Sequence, residues 1–157
     1  MRDTAIRMAR KWAKRPQFRP VALGFLMPWA PPSATTGEGG TWVLQAAQSY
    51  AMNGWRFVRE PAGIEHAGEV ILSPCITIRL NAGDCDDFAA MMAAVFKSIG
   101  VRCRIGWMST GPGAAHILFC AQGGWYADPD SPYFVVDPNL KSPVNAVSMT
   151  NVHWAKV

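Results

Sequence analysis

Between Asp87 and Lys97 the chain carries no charged residue at all. Phe88, Met91, Met92, Val95, Phe96 and Ile99 recur at helical spacing, and alanines at 89, 90, 93 and 94 fill the other side. The pattern predicts a helix over 85–99, buried nearly all round, with Gly100 as its C-terminal cap. Near the start, Ala5, Ile6, Ala9, Trp12 and Ala13 form an apolar stripe opposite Arg7, Arg10, Lys11, Lys14 and Arg15, an amphipathic helix ending at Pro16. A further helix over 42–52 turns Val43, Ala46, Ala47 and Tyr50 inward and stops at Asn53-Gly54.

After Gly100 the period changes from helical to alternating. Val101, Cys103, Ile105 and Trp107 alternate with Arg102, Arg104, Gly106 and Met108, which predicts a half-buried strand. Residues 115–121 form an apolar strand, turned at Gly123-Gly124 toward Trp125-Tyr126. Residues 133–137 make another, stopped by Pro138, and 147–154 add an edge strand. Residues 31–41 read as a loop, Trp55–Val58 as extended, and Glu60-Pro61 with Gly63 as a turn. The stretch 64–82 is mostly irregular, with a short extended piece over 76–80. Helices first and an antiparallel sheet afterwards define an α+β class in one domain.

The 157 residues are 50% hydrophobic and 17% charged, enough apolar material for a core and too few charges for disorder. The net charge of +4 is misleading until it is located. Residues 1–20 hold seven of the fifteen bases against one acid, Asp3, while the remainder has eight bases and ten acids. Basicity therefore belongs to an N-terminal helical arm over 1–30, separated by the 31–41 loop from a body over 42–157. The arm reads as a solvated helix face or as a docking element for an acidic protein surface, and a nucleic-acid role is disfavoured. A long basic region, Pro28 within the apolar run and a poor cleavage site argue against a secretory signal, and no segment reaches membrane-span length. Cys75, Cys85, Cys103 and Cys120 form no C-x-x-C pair, which fits a reducing cytoplasm.

The chemistry concentrates at Gly83-Asp84-Cys85-Asp86-Asp87, at the head of the buried helix. A cysteine nucleophile needs an imidazole to exchange its proton with and a group to orient that imidazole. Cys85, His116 and Asp137 supply one of each, on a helix start and on two strands. Each has a plainer reading: a buried cysteine behind an acidic cap, a hydrogen-bonded core histidine, an Asp-Pro turn. Together they describe one assembly. The helix start lowers a thiol's pKa and Asp84, Asp86 and Asp87 raise it. With an imidazolium as partner, Cys85 is expected to ionise and to be alkylated at pH 6 before the other three cysteines.

These residues resemble the transglutaminase-like, papain-related cysteine enzymes. The likeness runs over about 42–140: Gly-Asp-Cys and its apolar helix, the strand entered by Gly100-Val101-Arg102-Cys103-Arg104, Ala115-His116-Ile117-Leu118, and Val135-Val136-Asp137-Pro138. The segment Trp55-Arg56-Phe57-Val58-Arg59-Glu60-Pro61, with Ile64-Glu65, is similar to small phage and prophage members. The resemblance implies a catalytic domain over 42–157, with Cys85 as nucleophile, His116 as general base and acid, and Asp137 as its orienting partner. It implies acyl transfer on an amide or peptide; the small chain and the lack of a calcium motif put hydrolysis slightly ahead of transamidation, and no cofactor is expected. The oxyanion would be met by the Cys85 N–H and by Asn53, Asn81 or Trp55. In a phage setting the location would be host cytoplasm or virion.

Other constellations fail. Asp84–Asp87 lacks the glycine and terminal glutamate of a calcium loop. His116 and Cys120 share a strand face but stand about 13 Å apart at 3.3 Å per residue, too far to share zinc. Ser109–Gly113 has no lysine for a phosphate loop, and His66 and His153 read as surface residues. Two function classes remain: a cysteine acyl-transfer enzyme, and a non-catalytic structural or assembly protein keeping the same fold.

Overall fold

The computed structural model describes residues 2–32, 42–59, 71–125 and 127–157. Helices α1 (Arg2–Ala13), α2 (Phe18–Leu26) and α3 (Trp42–Asn53) precede a short strand β1 (Arg56–Phe57), helix α4 (Pro74–Leu80) and strand β2 (Ala82–Gly83). Helix α5 (Cys85–Ser98) leads into β3 (Cys103–Gly111), β4 (Ala114–Gln122), β5 (Tyr133–Val136), β6 (Val144–Asn145) and β7 (His153–Lys156). The last five strands form one antiparallel sheet in the order β6-β5-β4-β3-β7; β1 and β2 pair in parallel just ahead of Cys85.

Helix α5 is the axis of the molecule. Every residue from Ala89 to Phe96 is fully buried, as its lack of charges requires. Its alanines give the surrounding elements close access, and α1 packs directly on it. Ala5, Ile6 and Ala9 of α1, with Phe18, Ala22 and Leu26 of α2, join the same core as α3, α5 and the inner sheet face. Two bases of α1 tie it to the far strand: Arg2 donates to the His153 carbonyl and Arg10 to that of Lys156, each at 3.1 Å. Gly100 ends α5 at φ +84°, a backbone state costly for other residues.

Strand β4 is covered on both faces, which explains its unbroken apolar run. Ile117, Phe119 and Ala121 face the helices; Leu118 and Cys120 join Val135, Met108, Tyr133 and Trp154 in a smaller cluster on the other side.

The predicted strand at 76–80 is helix α4. Pro74 occupies its first turn behind Ser73, and Asn81 closes it in the left-handed region at φ 50°. These end signals outweigh the β-branched Ile76, Thr77 and Ile78. The predicted last strand is displaced: Ala146–Ser148 forms a 3-10 turn and pairing begins only at His153. The turn at Glu60-Pro61 and Gly63, the residues Ile64-Glu65, His66 and Tyr126, and most of the 31–41 loop lie outside the described residues. Among the described residues, no helix is long and apolar enough to cross a membrane.

Candidate active site

The residues around Cys85 first build a helix start. Asp84 is the N-cap of α5 and its carboxylate accepts the Asp87 N–H at 3.2 Å. The Asp87 carboxylate accepts the Asp84 N–H at 3.1 Å, completing a capping box. Asp87 also accepts the Leu72 N–H at 2.7 Å. Gly83 is required by proximity, because a Cβ there would lie 2.6 Å from the Asp87 carboxylate and 2.7 Å from its Cβ. The glycine and two of the three acids therefore serve to fix Cys85 at the first helical position. Its own backbone N–H has no intrahelical acceptor.

The thiol is partly buried and meets strand β4. The Ile117 backbone N–H donates a hydrogen bond toward the sulfur, while Sγ–H donates to Asp86 Oδ1 at 3.4 Å. Burial pushes the Cys85 thiol up to about 12; the Ile117 N–H opposes that shift, and the charge and hydrogen bond of Asp86, with the charge of Asp84, add to it. The expectation of a readily ionised thiol is thus overturned for the resting protein. Burial, which the sequence does not display, is the largest influence, and the buried Asp86 side chain takes the thiol proton's hydrogen bond.

His116 and Asp137 are in direct contact. Nε2 of the imidazole lies 3.0 Å from Asp137 Oδ1, with side-chain exposures of 23% and 5%. Donation from Nε2–H to the carboxylate leaves the Nδ1 lone pair as the basic position of the neutral ring. The other carboxylate oxygen, Oδ2, accepts from the Asn139 backbone N–H at 3.0 Å and from Asn139 Nδ2 at 2.9 Å. Asp137-Pro138-Asn139 is thus an Asx-type turn as well as a carboxylate site.

Sequence reasoning missed Gln48. This buried residue of α3 donates from Nε2 to the Asp137 carbonyl at 3.1 Å and to the Leu140 carbonyl at 2.7 Å, and its Oε1 accepts the Asp137 N–H at 3.3 Å. A polar residue at an inward position of an apolar helix was the available signal. Of the oxyanion candidates, Asn53 turns its amide back to the Ser49 carbonyl at 3.0 Å. Asn81 accepts from the Tyr50 hydroxyl at 3.1 Å, which leaves its NH2 to donate; the Trp55 ring packs edge-on against Phe88. His153 is exposed. Among the described residues, no three His, Cys, Asp or Glu side chains group as metal ligands.

No protein-family model matches the chain, and no curated protein matches it in sequence. Solved structures do. LapG of Legionella pneumophila superposes with a TM-score of 0.56 at 17% identity, over 96% of this chain and 81% of that one. Its calcium-bound form gives 0.56 at 19% identity, over 97% and 80%. A protein from Cytophaga hutchinsonii assigned as a cysteine protease gives 0.50 at 15% identity, over 90% of this chain and 48% of that one. At such identities the likeness speaks for the fold alone: this chain shares the α+β architecture of these proteins.

Proposed function

We propose that this chain is a cysteine-nucleophile acyl-transfer enzyme acting on an amide bond of a protein or peptide. Cys85 is the nucleophile, His116 the general base and acid, and Asp137 the group that orients the imidazole. One observation carries the reading: Asp137 holds His116 at 3.0 Å, on the strand whose next backbone N–H reaches the Cys85 sulfur. The fold shared with cysteine proteases supports it.

The reaction begins from thiol and neutral imidazole. At rest the thiol bonds to Asp86 and not to His116; as the sulfur bonds to the carbonyl carbon its proton must pass to the imidazole, and Asp137 stabilises the imidazolium formed. The oxyanion is met by the Cys85 N–H at the helix start, with Asn81 or Trp55 as second donor. The C–N bond then breaks and the imidazolium gives its proton to the departing amine. Water, deprotonated by the same imidazole, cleaves the thioester and returns the thiol. Hydrolysis is placed slightly ahead of transfer to an amine.

Asp84 and Asp87 accept hydrogen bonds from backbone N–H groups, and among the described residues no three His, Cys, Asp or Glu side chains group as metal ligands.

A second reading rests on the raised thiol, which suits a non-catalytic structural or assembly protein, phage-borne or otherwise, that has kept the fold. Incubating a complex peptide mixture with the protein and with Cys85→Ala separates the two. New peptide termini that depend on Cys85 support the enzyme, and hydroxylamine should divert its acyl product to a hydroxamate. No cleavage by either protein favours the assembly role.

A further inference from the structure

At the opposite end of α5 from Cys85, roughly 18 Å away at 1.5 Å per residue, the sheet carries an unneutralised basic cluster. Arg104 of β3 and Lys156 of β7 are directly paired in antiparallel register. Residues so paired share a face at close range, and two like charges there destabilise the strand pair. The Arg104 guanidinium lies over the Tyr133 ring at 4.1 Å, and its Nε is buried without an acceptor. A buried donor left unpaired carries a desolvation cost that calls for an explanation.

Both unfavourable features border one cavity of about 370 Å³. Lys97, Arg102, Arg104 and Lys156 line it together with Tyr133 and Val157, and among the described residues no aspartate or glutamate side chain does. The four bases are not equally available. Lys97 donates to the Val157 carbonyl at 3.0 Å and sits at the negative end of α5. Arg102 donates to the Ala127 carbonyl at 3.0 Å and to Gln122 at 3.4 Å, neutral acceptors that leave its charge uncompensated. Arg104 and Lys156 pair with no carboxylate among the described residues.

We propose that this cavity binds a phosphate group, held by Arg104 and Lys156 with Arg102 beside them, at a site separate from Cys85. A single oxyanion placed between the paired bases removes their repulsion. The arginine guanidinium presents N–H donors in a planar fork matched to phosphate oxygens. Three uncompensated cations favour a dianion over a carboxylate. The cavity lies within the range of small-molecule sites, which leaves space for the organic part of a phosphate monoester beside the phosphate itself.

The test is thermal unfolding of the full chain in inorganic phosphate and, separately, in ribose 5-phosphate, with ionic strength held constant by chloride to exclude screening. Either ligand should raise Tm saturably, by roughly 5–10 °C at a hundredfold excess over Kd. A tighter response to the ester identifies a phosphorylated metabolite; equal responses identify free phosphate. Lys156→Met and Arg104→Gln should each weaken the half-saturating concentration at least tenfold. Lys156→Glu, a change at an exposed position that offers Arg104 an internal carboxylate, should raise the ligand-free Tm and abolish the response. No saturable shift in the wild-type protein, or an unchanged shift in both Lys156→Met and Lys156→Glu, overturns the proposal.

Discussion

Gln48 grips the peptide unit of Asp137 from both sides, accepting its N–H at 3.3 Å and donating to its carbonyl at 3.1 Å. The carboxylate partner of His116 is thereby fixed at its backbone by α3 and at its carboxylate by Asn139. Strand β5 ends at Val136, so sheet pairing alone does not hold Asp137 in place.

Replacing Gln48 with leucine should therefore harm both stability and rate. It leaves the Asp137 N–H and the Leu140 carbonyl without these partners, while the Asp137 carbonyl keeps the Leu140 N–H at 3.0 Å, a loss of roughly 1–3 kcal/mol by chemical denaturation. In the fraction that folds, turnover should fall with little change in KM, because the imidazole loses its fixed partner. Unchanged turnover would show that Asp137 keeps its place without α3.

The resting thiol gives a second prediction. With Cys85 pushed up to about 12, its alkylation by iodoacetamide should climb about tenfold per pH unit from 7 to 10 without levelling off. The partly exposed Cys75 should be labelled earlier at neutral pH. Asp86→Asn removes a nearby negative charge and should speed Cys85 labelling several-fold. A plateau at pH 6–8 would mean that a thiolate–imidazolium pair already exists at rest.

Asp87 predicts a pH-dependent stability. Burial raises its carboxyl from 3.8 to about 6, with the Leu72 N–H opposing and the Asp84 charge adding. The folded protein therefore holds this proton more tightly than the unfolded chain. The contribution is fully present below pH 3.8 and is lost as pH rises through 6, amounting to at most about 3 kcal/mol. Denaturant titrations from pH 4 to 7 should show a smaller loss with rising pH in Asp87→Asn than in the wild-type protein. Parallel curves would contradict the assignment.

Removing residues 1–20 should unfold the protein. The deletion strips Ala5, Ile6, Ala9 and Phe18 from the core and exposes a side of α5 that has no polar residue to offer water. Loss of one large core side chain costs about 2–5 kcal/mol, against a total stability of about 5–15 kcal/mol. Circular dichroism that still melts cooperatively after the deletion would show the N-terminal helices to be dispensable.

The sequence was most legible where burial is uniform. The charge-free run after Asp87 announced α5, alternation announced β3, and Asp84 with Asp87 announced the helix start. It was least legible where a few end residues overrule a propensity. Ile76, Thr77 and Ile78 favour a strand, yet Pro74 and Asn81 set a helix around them. The contact of His116 with Asp137 depends on β4 and β5 being neighbours in the sheet, which two adjacent strand patterns suggested. The protonation of Cys85 depends on how deeply α5 sits and on where Asp86 points, and neither is written in the order of residues. Gln48 was hidden because one polar side chain in an apolar helix does not say what it faces.

The central claim is that Cys85 and His116 act as one reactive unit oriented by Asp137. A peptidyl diazomethyl ketone tests it directly, because this reagent leaves ordinary thiols alone and alkylates a cysteine that has an acid partner beside it. Mass spectrometry after incubation should find the peptidyl adduct on Cys85 and on none of Cys75, Cys103 or Cys120. His116→Ala should abolish it, Asp137→Ala should slow it, and Cys75→Ser should leave it unchanged. A folded protein in which Cys85 stays unmodified, or is modified equally well without His116, would contradict the account.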